Sequence, residues 1–224
     1  MPKQNRVTPF GELLATECRG TLMGNRGCLH DEQQRVRRPF ACKRWIYCVL
    51  QFRGRHRTVM APGRYTELFF LDEATALAAG HRPCAECQRA RYLLFREHWA
   101  SANPGEFSSP LPGADDMDRA LHAERVEGRR GKRTYRERLS RLPNGVMVAG
   151  EDGGAFLLLK HGLLPWSAGG YGPALPRSAG AEVRVLTPPS VVRAIARGFP
   201  VGTYPSAGAT GRGIGKREAA RRLS

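Results

Sequence analysis

The stretch that most constrains this chain runs from Tyr65 to Trp99, YTELFFLDEATALAAGHRPCAECQRARYLLFREHW. It opens on an apolar run, Leu68-Phe69-Phe70-Leu71, of the length of a buried strand. Asp72 follows, and its carboxylate can accept the free N–H groups of a first helical turn. The Ala-rich segment Glu73 to Ala79 is then a short helix, and Gly80 stands where a left-handed residue closes it. Arg82-Pro83-Cys84-Ala85-Glu86-Cys87 comes next. Two thiols three positions apart, on a tight turn ahead of a helix, can converge on one metal ion. Helix N–H groups nearby favour the thiolate form that a metal needs. The helix that follows carries Tyr92, Phe95 and Trp99 on one face.

The order of aromatic strand, Ala-rich helix, Ala-Ala-Gly, Arg82-Pro83-Cys84 and Cys87 resembles the N-terminal zinc domain of the Ada DNA-repair proteins, which senses methylated DNA phosphates. The resemblance covers residues 68 to 89 and is specific within them. It implies a zinc-knuckle fold and an association with DNA. His81 stands where that family usually has an aromatic residue. The family's upstream Cys-x-x-x-Cys pair, which includes the methyl acceptor, has no counterpart in an ungapped alignment; Arg53 and Arg57 fall there. Methyl transfer to a cysteine is therefore not implied.

A structural zinc wants four ligands, and Cys84 with Cys87 supplies two. The further candidates are Cys48 or His56 with His81; Cys42 also lies nearby in sequence. Against the metal stands a cysteine turn that simply packs, since free thiols are often buried. Disulfide-type redox chemistry would want a βαβ context that is not evident here.

At 224 residues, 41% of them hydrophobic, the chain can bury a sizeable core. Met1-Pro-Lys-Gln-Asn has no apolar signal-like region, so the expected location is cytoplasmic, with the six cysteines reduced or metal-bound. Thirty-six basic residues against 20 acidic ones leave +16, dominated by arginine. Such a surface attracts phosphate polyanions, and arginine binds phosphates and base edges in bidentate fashion. DNA is the expected partner before RNA.

Along the chain, Arg19 to Gly27 places three glycines and two arginines in nine residues, a loop able to hug a phosphate or an ordinary turn between strands. His30-Asp31-Glu32 is a solvated turn. Trp45 to Phe52 alternates as a strand, with Ile46, Cys48, Leu50 and Phe52 on one face. Arg53 to His56 turns it, and Arg57 to Ala61 pairs back as a hairpin with a basic tip. Residues 101 to 114 form a Pro/Gly/Ser-rich linker. Asp115 opens a helix that sets Asp118 and His122 on one face, with Glu124 close by. Its end, from Glu127 to Arg136, is rich in arginine and lysine. Val146 to Val148 and Ala155 to Leu159 make a second hairpin. Trp166 and Tyr171 sit in a Pro/Gly-rich loop, either stacking on an unstacked base or plugging the core. Val183 to Leu186 is a strand. Thr187-Pro-Pro-Ser190 starts a capped helix, and a basic tail closes the chain.

The expected fold is α+β: antiparallel β-hairpins packed with short helices around an Ada-like zinc knuckle. The expected regions are 1–103, hairpin plus knuckle; 104–204, helix and hairpin, separate or in the same compact domain; and 205–224, a basic flexible tail. The expected function is zinc-containing nucleic-acid binding with a DNA-repair or damage-recognition role. Its contacts would come from Arg26, Arg53, Arg55, Arg57, Arg129, Arg130, Lys132, Arg133, Trp166 and Tyr171. The alternative is a metal-dependent nuclease or glycosylase using Asp118, His122 and Glu124. A deaminase fits less well: Pro83-Cys84-Ala-Glu-Cys87 matches half of that signature, but His122-Ala-Glu124 lies downstream in reversed order. An RNA-associated accessory protein is a third class that charge alone allows.

Overall fold

The computed structural model describes residues 1–56, 58–105, 109, 111–128, 131–178 and 180–208. Arg57, Arg129, Arg130 and the basic tail beyond residue 208 lie outside the described residues. The fold is mixed α+β, with largely antiparallel sheets and a few short helices. Among the described residues no helix is long and apolar enough to cross a membrane.

The first sheet contains β1 (Gln4–Val7), β2 (Leu13–Ala15), β3 (Leu22–Asn25), β4 (Ile46–Cys48), β5 (Leu68–Phe70) and β6 (Arg82–Pro83), in the spatial order β2-β1-β5-β3-β4-β6. Pairing is antiparallel except for β1 with β5 and β4 with β6. Between β5 and β6 lies α1 (Glu73–Ala78), capped as its sequence demands: the Asp72 carboxylate accepts from the Thr75 N–H at 2.9 Å. Gly80 follows at φ +88°, a conformation that costs other residues strain. A Cβ there would also stand 2.5 Å from Arg125 Cδ. Gly80→Ala is therefore expected to lose about 1–3 kcal/mol of unfolding free energy. Urea denaturation checks it, and a loss indistinguishable from zero would refute the packing described.

α2 (Arg89–Ala102) buries Tyr92, Phe95 and Trp99, the face its spacing predicts. α3 (Ala114–Arg125) leads into the short hairpin β7 (Val126–Glu127) and β8 (Gly131–Lys132). The second sheet is antiparallel throughout. It holds β9 (Tyr135–Arg138), β10 (Met147–Ala149), β11 (Ala155–Leu159), β12 (Gly162–Ser167), β13 (Gly170–Tyr171) and β14 (Glu182–Val185), ordered β13-β12-β11-β10-β14-β9. α4 (Pro189–Ala196) packs Val191, Ala194 and Ile195 inward. One apolar cluster runs through both sheets, taking in Val7, Tyr47 and Phe70 together with Val148, Phe156 and Val185. Asp72 ties the halves further: its second oxygen accepts from Tyr171 Oη at 2.8 Å and from the Tyr204 N–H at 2.9 Å.

Three local expectations are corrected. The strand expected from Trp45 to Phe52 spans only Ile46–Cys48, and no strand lies among the described residues of 57–61. β4 pairs instead with β3, so distant residues rather than a local turn satisfy its backbone. Trp45 and Tyr47 are 4% and 1% exposed and Cys48, on the opposite face, 7%, so both faces carry buried residues up to Cys48, whereas Leu50 is half exposed. The Arg19–Gly27 segment is no loop, because β3 runs through it. Gly24 serves close packing there: a Cβ would lie 2.2 Å from the Ile46 carbonyl oxygen. Thr187 does not cap α4 but accepts from the Met147 N–H at 3.0 Å.

Candidate metal centre

The parallel pairing of β4 with β6 sets Tyr47 opposite Pro83, and the Cys84 N–H donates to the Tyr47 carbonyl at 2.9 Å. Cys48 and Cys84, each one residue beyond that pair, thereby become neighbours. The turn from Cys84 into α2 brings Cys87 to the same place. The three sulfurs all lie within 4.8 Å of one another. Three thiols around one tetrahedral zinc, with Zn–S bonds of about 2.3 Å, would sit about 3.8 Å apart, so modest closure fits the ion. All six cysteines are free thiols.

The electrostatics fit thiolate ligation. The Cys84 thiol is pulled down to about 5 by its hydrogen bond with Cys48 and by backbone N–H groups, including that of Glu86 at 3.4 Å. Cys48 is pushed upward, first by that same hydrogen bond and then by burial. Burial raises Cys87, while the Val49 N–H opposes the rise. One thiolate is thus ready among three thiols, and a divalent ion would draw the remaining protons off. Soft sulfur donors select zinc over magnesium or calcium.

No fourth His, Cys, Asp or Glu donor among the described residues lies within that distance of all three sulfurs. The thiols line a cavity of about 400 Å³, walled by Leu50, Phe52, Tyr65 and Glu67. His56 is exposed on the loop after β4. His81 is buried against Phe70 and Trp45, with ring centroids 4.7 and 5.1 Å away, and does not join the thiols. Cys42 donates to the Arg44 carbonyl at 3.3 Å and stands outside the group as well. The sheet register is the signal that selects Cys48, and it is invisible in a local pattern.

Arg53 and Arg55 are exposed beside this centre, each with its guanidinium over the Phe52 ring, at 5.0 and 5.3 Å. Arg55 also pairs with Glu86, inside the cysteine turn, at 3.0 Å. Arg133 is exposed directly after β8. Arg26 is buried and Lys132 half-buried, away from the thiols. Trp166 and Tyr171 face each other across β12 and β13 and both bond to the start of α1: Trp166 Nε1 donates to Thr75 Oγ1 at 3.0 Å, and buried Tyr171 donates to Asp72.

Asp118, His122 and Glu124 are drawn to three different partners. Asp118 is buried and takes a fork from Arg82, at 2.9 Å from Nε and 2.7 Å from Nη2. His122 packs its ring edge-on against Phe40, and burial holds its pKa down. Glu124 accepts from Ser190, at 3.1 Å from the N–H and 2.6 Å from Oγ, and so caps α4. No family model, curated protein or solved structure matches the chain.

Proposed function

We propose that this is a zinc-holding, nucleic-acid-binding protein, with DNA preferred to RNA and a role in recognising damaged DNA. The observation that carries it is the convergence of Cys48, Cys84 and Cys87 beside the exposed Arg53–Arg55 loop. Zinc on three thiolates would tie β4, β6 and the start of α2 together, in the manner of an Ada-like knuckle. It would hold the basic loop, through Glu86 and Arg55, at a fixed place on the surface. The net charge of +16 supplies the long-range attraction to phosphate. The specific link to repair rests on the resemblance at residues 68 to 89.

A fluorescence-anisotropy titration of a labelled DNA duplex tests it. Each phosphate contact should weaken binding about 3.5-fold between about 50 and 200 mM salt. The double variant Arg53→Ala/Arg55→Ala should lower the salt slope by about two. Binding that ignores salt, or a slope unchanged in the double variant, would rule out this surface.

A second reading is favoured by the thiol group's open side. Three protein ligands facing a cavity are the arrangement of a catalytic rather than a closed structural zinc. A metal-dependent enzyme on nucleic acid would use that position, and not Asp118, His122 and Glu124, which are committed elsewhere. Zinc-dependent cleavage of a DNA or RNA substrate, absent in Cys48→Ser, would establish it.

A further inference from the structure

A second cavity, of about 560 Å³, opens where β1–β2, the turn before β4, the end of α3 and the β7–β8 hairpin meet. Its walls carry six cationic side chains, Arg26, Arg37, Arg38, Arg125, Lys132 and Arg184, against a single carboxylate, Glu12, among the described residues; of the six, Arg37 is held by Asp31 at 2.7 Å. Two of the cations are taken almost wholly from water: Arg26 and Arg125 are each 2% exposed.

Among the described residues neither has an acidic partner in direct contact. Arg26 donates Nη2 to the Gly11 carbonyl at 2.7 Å, and its Nε has no partner. Arg125 donates Nη1 to the Gly80 carbonyl at 2.7 Å, and its Nε is likewise unpartnered. Both guanidinium groups lie over the Trp45 indole, at 4.7 and 4.1 Å. Lys132 Nζ donates to the Ala78 carbonyl at 2.6 Å. Asp118 attracts Arg125 at longer range but is occupied by Arg82. His81, packed on the same indole, is buried with both ring nitrogens unpartnered.

Burial of charge without a counter-ion is costly, and the charges here also repel one another. Burial, with Arg125 and Arg26 adding to it, pulls Lys132 down to about 7; burial takes Arg26 and Arg125 to about 9. Folds tolerate such a cluster where an anion completes it, and arginine forks match the oxygens of a phosphate. The cavity exceeds a lone phosphate and lies in the size range of small-ligand sites. Phe10 and Phe40 give it an apolar wall for the group that carries the phosphate.

We propose that this cavity is a binding site for a phosphate monoester, borne by a mononucleotide or by the 5′ end of a nucleic-acid strand. The cavity and its buried Arg26 and Arg125, which have no acidic partner in contact among the described residues, argue for the site without the metal centre; only the nucleotide character of the ligand rests on the proposed function.

The test is calorimetric titration of the full chain, in phosphate-free buffer, with adenosine 5′-monophosphate and with one oligonucleotide in 5′-phosphorylated and 5′-hydroxyl forms. Saturable binding of the monophosphate is expected, and it should raise the melting temperature. Lys132→Met should weaken binding about tenfold or more. Its melting temperature without ligand should be retained or raised, because a repelled cation has been removed. Arg38→Ala, at the exposed rim, should leave folding intact and weaken binding about threefold.

Preference for the phosphorylated oligonucleotide assigns the site to strand ends. Monophosphate binding without that preference assigns it to free nucleotides. Absence of saturable binding by any of the phosphorylated probes, or affinities unchanged in both variants, would overturn the proposal. A duplex-binding salt slope lowered in Arg53→Ala/Arg55→Ala with monophosphate affinity intact separates the two surfaces, so either can fail alone.

Discussion

Asp118→Ala is expected to destabilise the protein by about 3–5 kcal/mol, because it strands the Arg82 guanidinium in the core. The side chains of Arg82 and Asp118 are 2% and 4% exposed and meet through two hydrogen bonds. Arg82 also donates Nη1 to the Pro83 carbonyl at 3.0 Å and lies over the Tyr92 ring. It thus clamps the cysteine turn between α3 and α2. Removing the carboxylate leaves a buried cation with no counter-charge, whereas replacing both partners by apolar residues of similar volume would be far milder. Urea denaturation should show the full loss in Asp118→Ala and a smaller one in Arg82→Met/Asp118→Leu. A loss below about 1 kcal/mol in the single variant would mean that the pair behaves as a surface ion pair, contrary to its burial.

The second large effect concerns the metal. A ligand that binds only the folded chain stabilises it by about 4 kcal/mol when its free concentration is about a thousand times its Kd. Chelation of zinc should therefore lower the melting temperature, and Cys84→Ser should reproduce most of that loss without further response to chelator. Complete unfolding is not expected. The apolar cluster through both sheets gives this chain a core that isolated zinc fingers lack. An equal melting temperature with and without chelator would place no stabilising metal on these thiols.

The parts of the fold that were legible in sequence are those fixed by neighbours. Asp72, the Ala-rich turn and Gly80 specify α1 within nine residues, and the spacing of Tyr92, Phe95 and Trp99 fixes the buried face of α2. The β10–β11 hairpin is local as well. The pairings around β4 are not: Met23 meets Cys48 and Tyr47 meets Pro83 across long separations, so alternation from Trp45 to Phe52 suggested a longer strand and a neighbouring hairpin. Cys48 joins Cys84 and Cys87 through that same register, which no local pattern distinguishes from the other ligand candidates. The placement of arginine is less legible still. Composition places it on the surface, yet Arg26, Arg82 and Arg125 are buried, each with a different set of partners. Asp118, His122 and Glu124 share a helix and a plausible spacing, but Arg82, Phe40 and Ser190 claim them one by one.

The two basic features of the surface also separate in a way that charge alone does not disclose. Arg53 and Arg55 remain exposed beside the thiols, suited to a strand passing over the surface. Arg26 and Lys132, expected among the same phosphate contacts, withdraw into a cavity of their own. Net charge of +16 is therefore partly a surface property and partly an internal one.

The most direct measurement of the central claim is the zinc content of the purified protein, compared with Cys48→Ser and Cys84→Ser. One zinc per chain in the parent and none in either variant is the predicted result. Zinc absent from the parent after production in zinc-supplemented medium, or retained by both variants, would contradict the three-thiolate centre.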